Sequence, residues 1–286
     1  PDVTVEGHIK YYKHDNDSTF PDALISLNTL VAPRISSIDS LDYGLSTNWR
    51  PGFLKSSLTA GWRRLNRERD LIWGTGGQSI LAPQSLYRED TLSDEIYLKW
   101  SARPAMGWNT QLTPSFTWAN KTGLVSEPEE VFAVKATANY AAPEGWVASG
   151  FYDYKNKQNG NNTFTDGSAG PGTPPTYNQS IDSTLHSAGV SLNVMPRDNV
   201  NVSANLYWVQ DDFSSYLFTT NTFRWTNGVN FTQVDQPNYK IDSYVFSLGG
   251  DWQYNDKLKL NGSYTFSKSK GDVASGTVLA SLAAAT

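Results

Sequence analysis

Between Tyr239 and Lys268, apolar and polar side chains change places at almost every step. From Asp242, alternate positions read Tyr244, Phe246, Leu248, Gly250, Trp252 and Tyr254, with Ser243, Ser247, Asp251 and Gln253 between them. After a polar break, Asn255-Asp256-Lys257, the alternation resumes as Leu258, Leu260, Gly262, Tyr264 and Phe266 against Lys259, Asn261, Ser263, Thr265 and Ser267. A period of two is that of a β-strand, whose successive side chains point to opposite faces, and the short break predicts a hairpin. The apolar set is also sorted, with rings toward the strand ends and Leu or Gly between them. Packing on a protein core gives no reason for that order. A bilayer does, because Trp and Tyr favour its two interfaces while small and aliphatic residues suit the hydrocarbon.

The pattern recurs along the chain. Val5, Gly7, Ile9 and Tyr11 oppose Thr4, Glu6, His8, Lys10 and Tyr12. Leu41 to Trp49 and Leu58, Ala60, Trp62 flank Arg50-Pro51-Gly52. Leu92, Ile96, Leu98, Trp100 and then Leu112, Phe116, Trp118 flank residues 103–107, and Pro114, unable to donate to a ladder, predicts a bulge. Phe132 to Tyr140 and Trp146 to Tyr154 flank Pro143-Glu144-Gly145, and Ala188 to Val194 and Val200 to Trp208 flank Pro196-Arg197-Asp198. Tight turns thus follow Trp49, Ala102, Ala142, Met195 and Tyr254. Long polar loops are expected near 14–40 (with a short helix or strand over Ala23–Val31), 66–90, 155–182 and 211–238. The third of these, rich in Gly, Asn, Thr and Pro, reads as a mobile loop or plain disorder. Short turns on one side and long loops on the other are the habit of outer-membrane barrels.

The expected fold is therefore all-β, an antiparallel up-and-down transmembrane β-barrel with about eleven strands visible, in one domain over 1–286. Single-chain bacterial barrels have even strand numbers. The odd count and the Ala/Ser/Gly-rich, loop-like stretch Gly271 to Thr286 suggest a segment of a larger barrel.

Composition narrows the function. No apolar run reaches the roughly 18 residues of a spanning helix, and the mean hydropathy of −0.47 is polar. A net charge of −5 without a basic block argues against nucleic acid. Without cysteine there is no disulfide, thiolate metal site, Cys nucleophile or c-type haem attachment on this chain. His8, His14 and His186 lack ligand spacing. Asp15-Asn16-Asp17 and Asp211-Asp212 read as solvated loop charge, Gly74 to Gly77 as a loop, and Arg63, Arg64, Arg67 and Arg69 as a charged rim. No catalytic, metal or cofactor site is expected, and no enzyme. Two sets of residues remain. The lumen-facing candidates are Thr4, Glu6, His8, Lys10, Arg63, Lys135, Asn139, Asn193, Asn201, Asn205, Lys259 and Asn261. The aromatic girdle candidates are Trp49, Trp62, Trp100, Trp118, Trp208, Tyr244, Trp252, Tyr254 and Tyr264.

The hairpins Leu192-Asn193-Val194-Met195-Pro196-Arg197-Asp198-Asn199-Val200-Asn201-Val202 and Trp252-Gln253-Tyr254-Asn255-Asp256-Lys257-Leu258-Lys259-Leu260-Asn261-Gly262-Ser263-Tyr264 resemble those of the large barrels of porin–cytochrome conduits, the MtrB/PioB-like family. The resemblance is one of hairpin style and runs over most of the chain. It implies a bacterial outer-membrane barrel in contact with lipid, sheathing a multihaem c-type cytochrome whose haems sit on the partner. A general or substrate-specific diffusion porin is the second reading. A soluble secreted β-sandwich binding module, with apolar faces but no pair of aromatic girdles, is the third.

Overall fold

A computed structural model describes residues 2–15, 34–72, 90–122, 127–165, 176–222 and 230–282. They form one sheet of eleven antiparallel strands in chain order. The strands are β1 (Asp2–Asp15), β2 (Arg34–Arg50), β3 (Ser57–Ile72), β4 (Asp90–Ala102), β5 (Trp108–Lys121), β6 (Glu130–Ala141), β7 (Trp146–Thr165), β8 (Thr176–Arg197), β9 (Val200–Thr222), β10 (Asn230–Asn255) and β11 (Leu258–Leu282). The chain is all-β and up-and-down, as its alternation predicts. A sandwich would bury large side chains between two layers. Among the described residues the only buried apolar side chains are Ala102, Ala142 and Ile181, and no second sheet exists. β1 and β11 are the two edges of this open sheet, and both run from the turn side to the loop side. Their shared direction means that an antiparallel closure requires an odd number of further strands between them.

The turns carry their own chemistry. Asn255 Oδ1 accepts the backbone N–H groups of Lys257 and Leu258, both at 2.9 Å, closing the β10–β11 turn. Gly145 has φ +89°, and its N–H reaches Ala142 O at 3.1 Å. Neighbouring turns are tied together, Arg103 N–H to Leu54 O and Gln253 N–H to Asn199 O, each 2.9 Å.

The register shows a regular shear. Residues directly opposite one another form a row, Val3–Trp49–Leu58–Trp100–Leu112–Ala136–Tyr152–Ala188–Trp208–Tyr244–Lys268. Within successive hairpins its members stand 12 residues apart at 100 and 112, 16 at 136 and 152, 20 at 188 and 208, and 24 at 244 and 268. Each turn therefore recedes from the row by one residue per strand. One residue of slip, about 3.3 Å, for each sideways step of about 4.8 Å corresponds to a strand tilt of about 35°, the range of closed barrels.

Three expectations need correction. The long loops near 155–182 and 211–238 are largely strand: β7 runs to Thr165, β8 starts at Thr176, β9 ends at Thr222 and β10 begins at Asn230. Likewise β3 extends to Ile72, β2 starts at Arg34, and β11 carries the supposed tail as far as Leu282. These stretches carry no sustained apolar alternation, and a ladder can persist where the hydrophobic period has stopped. Pro114 makes no bulge, since β5 stays in register with β6 through Pro114–Val134. Instead the β4–β5 ladder lapses between Tyr97–Ser115 and Trp100–Leu112, as expected if the missing N–H lies on the β4 side. Ala23–Val31, Gly74 to Gly77, Asn16 and Asp17 lie outside the described residues.

Candidate membrane belt and lumen face

Direct opposition carries one face across all eleven strands. Val5, Leu45, Ala60, Leu98, Leu112, Ala138, Gly150, Leu192, Ala204, Gly250 and Gly262 share it, together with the predicted aromatics Trp49, Trp62, Trp100, Trp118, Trp208, Tyr244, Trp252 and Tyr264. Tyr254 joins them, edge-on to Trp252 at 5.4 Å between centroids. The rings form two tiers that follow the shear. Trp49, Trp100, Trp108, Tyr140, Trp146 and Trp252 stand near the turns, with Trp108–Tyr140 and Tyr140–Trp146 in contact at 4.9 and 5.0 Å. Tyr43, Trp62, Phe116, Trp118, Phe132, Tyr154, Trp208 and Tyr244 form the loop-side tier, with Tyr43–Trp62 and Phe132–Tyr154 at 5.9 and 6.1 Å. The tiers lie about eight residues apart along β6 and β7, which at about 35° of tilt is about 22 Å, close to the ~25 Å apolar band of outer-membrane barrels. This face stays uncovered: Val5 is 68% exposed and Leu206 49%. A groove of about 440 Å³, floored by Ala138, Ala148, Gly150 and Ala204, crosses it.

A buried carboxylate interrupts the apolar face. Asp94 opposes Arg64 and Trp118 at the loop-side tier and is only 2% exposed. Arg64 donates to it through Nε and Nη2, both at 2.8 Å, and Trp62 Nε1 and Asn120 Nδ2 donate at 3.0 and 3.1 Å. A charge at this depth is tolerable because four donors surround it and the Arg64 guanidinium also packs on the Trp62 ring at 5.6 Å.

Every lumen-facing candidate lies on the other face, and the structure joins only some of them. His8 Nε2 approaches Asp42 at 3.2 Å, Arg63 binds Asp42 through Nε and Nη2 at 2.8 and 2.6 Å, and Arg63 Nη1 lies 3.6 Å from Glu95. Glu6 and Lys10 lie beside this cluster on β1. The opposite part of the face is nearly neutral. Asn139, Asn193, Asn201 and Asn205 lie among Ser149, Ser191, Ser203 and Ser247, and Asn205 Nδ2 donates to Ser247 Oγ at 3.3 Å. Lys135 is opposed to Asp153, Asn261 to Asp251, and Lys259 Nζ lies 3.4 Å from Asp251.

Large rings on the polar face lie flat over glycines. A Cβ on Gly61 would enter the Tyr97 ring, one on Gly189 the Phe151 ring, and one on Gly44 would come within 2.8 Å of His8 Cε1. The wall therefore has low relief, with a hollow of about 390 Å³ beside Gly189, Ser191 and Asn205.

The other chemical candidates resolve individually. His186 stands on the apolar face: its Nδ1 lies 2.9 Å from Tyr152 Oη, and it packs on Tyr154 and Trp208 at 4.9 and 6.2 Å. His14 stacks near Tyr12 at 6.4 Å. Asp211 and Asp212 are strand residues, accepting from Tyr239 Oη at 3.2 Å and pairing with Lys240 Nζ at 3.5 Å. Beyond the loop-side tier, burial and the nearby Asp211 charge raise the Tyr239 pKa above its ordinary value. Among the described residues no three His, Cys, Asp or Glu side chains gather as a metal site. Sequence reasoning missed Asp42, Asp94 and Glu95, and the only available signal for Asp94 was a carboxylate in the Leu92–Ile96 apolar series. No protein-family model matches the chain, and no curated protein is significantly similar to it in sequence.

Proposed function

We propose that this chain forms the wall of a bacterial outer-membrane β-barrel, and that the barrel sheathes a multihaem c-type cytochrome carrying electrons across the membrane. The observation behind the membrane reading is the pair of aromatic tiers about 22 Å apart, which keeps constant depth while the strands slip one residue each. Only a slab-shaped apolar solvent demands that geometry. The sheath reading rests on the hairpin resemblance and on the polar face. Ser, Asn and Thr dominate it, rings are laid flat on glycine, and among the described residues there is no single-sign ring of charge such as an ion filter would require. Such a wall suits a bulky polar occupant. The haems belong to that occupant, and this chain supplies contact, insulation and alignment.

One observation favours a diffusion porin instead: the His8–Asp42–Arg63–Glu95 cluster, a charged strip suited to lining a water path. The two readings separate on extraction from membranes in mild detergent. The sheath predicts a co-purifying haem spectrum and little open conductance in planar bilayers. Conductance without haem would replace it with the porin. A protein that stays dissolved without detergent would overturn both.

A further inference from the structure

Seven residues beyond Trp62, where β3 has left the apolar belt, Arg69 is only 4% exposed. Its Nη1 donates to Thr91 Oγ1 at 2.7 Å, Thr91 Oγ1 donates to Glu127 Oε2 at 2.6 Å, and Arg69 Nη2 pairs with Glu127 Oε1. Arg69 continues the polar-face series Arg63, Leu65, Arg67, and Thr91 opposes Arg67 on that same face. Glu127 lies in the β5–β6 connection, just before β6. Its backbone carbonyl accepts from Asn159 Nδ2 at 3.1 Å, and Asn159, also 4% exposed, extends the polar-face series of β7. Glu129 is fixed as well: its N–H reaches Gln158 O at 2.9 Å, its carbonyl takes Ala119 N–H at 2.7 Å, and its Oε2 takes Gly160 N–H at 3.1 Å. One short segment is thus tied to β3, β4, β5 and β7 together.

We infer that Glu127–Glu129 is a strap, held on the polar face by Arg69, Thr91 and Asn159, that narrows the loop-side mouth and limits the size of what enters. The inference rests on the barrel reading. A charged pair removed from water is held only where partners surround it, and nothing in ordinary loop closure calls for an Arg on β3 to reach a Glu in the β5–β6 connection. The geometry is that of an anchor. It sits where β4, β5 and β6 end early while β7 to β11 run on, so it occupies the low side of the rim.

The chain has no cysteine, so one introduced thiol reports alone. Lys99→Cys places it on the exposed polar face of β4, on the turn side of the strap. Intact cells carrying the full chain are treated from outside with a small maleimide and with one bearing a bulky polymer. With the native strap the small reagent reacts and the bulky one lags. Glu127→Gln, which keeps the shape and loses the ion pair, and Arg69→Met should each speed the bulky reagent about tenfold and the small one less than twofold. Unchanged rates, or equal acceleration of both reagents, overturn the strap while leaving the barrel reading intact. If neither reagent reacts in any version, nothing passes the strap to be sorted by size, and the strap is overturned while a barrel filled by its occupant still stands.

Discussion

Leu206 and Asn205 are neighbours on β9, yet their surroundings are governed by different demands. Leu206 belongs to a face whose middle is mostly small or aliphatic on all eleven strands, with rings from most of them gathered in two tiers at its margins. Asn205 belongs to a face that changes along the sheet, from the ion-paired strip of His8, Asp42, Arg63 and Glu95 on β1 to β4 to Ser and Asn on β8 and β9. Uniformity on one side is what a bulk apolar solvent would impose, since every strand would meet the same hydrocarbon. Variety on the other side is what contact with particular partners or solutes allows. Function is therefore to be sought on the polar face, and the apolar face mainly fixes where that function is held.

The sharpest way to break this comparison is to put one charge on each face at the same level. Leu206→Arg should destabilise the protein in bilayers by about 2 kcal/mol, less than a cation costs at mid-depth on a lipid face because Leu206 lies only two residues from the Trp208 tier. Asn205→Arg should stay within about 0.5 kcal/mol, as for a solvated site. Reversible urea unfolding in lipid vesicles, followed by tryptophan fluorescence, measures both. Equal costs would mean that the faces do not meet different solvents.

How much could be read from the chain alone follows the same division. Tyr244, Phe246, Leu248 and Trp252 announced their strand because an apolar face backed by a polar one forces a period of two. The continuation of that strand back to Asn230 was illegible, because Phe231 and Val234 are the only apolar residues there before Pro237 and set no period of two. Pro114 signalled a broken ladder correctly in kind, but the missing N–H costs pairing with β4 rather than adding a residue. Arg69 and Glu127 are 58 residues apart, joined through no motif, and no local pattern could have paired them.

A smaller effect distinguishes the two parts of the polar face. Arg63→Ala removes the bidentate partner of Asp42 and leaves that carboxylate beside His8 alone. The expected loss is about 1 kcal/mol, reduced by added salt because the guanidinium is partly exposed. Asn205→Ala, which gives up one long hydrogen bond to Ser247, should lose less than about 0.5 kcal/mol and show no salt dependence. If both variants behave alike in low and high salt, the charged strip is no more than scattered surface charge.

The smallest effect tests whether the sheet persists above the belt. Tyr239 stacks on Phe213 at 5.0 Å and donates to Asp211 at 3.2 Å, beyond the tier marked by Tyr244. Burial first, and the Asp211 carboxylate second, favour the neutral phenol in the folded chain, so its pKa lies above the ordinary value of 10.0. The unfolded chain ionises this tyrosine more easily. Its contribution to stability is therefore full below about pH 10 and disappears as the pH climbs through the folded-state pKa. Comparing wild type with Tyr239→Phe isolates it from the other titrating groups. The wild type should be the more stable of the two at pH 8, and its advantage should shrink above pH 10. An advantage that is absent at pH 8, or that grows with alkalinity, would show that Tyr239 does not make this contact and that β9 and β10 part company where the apolar face ends.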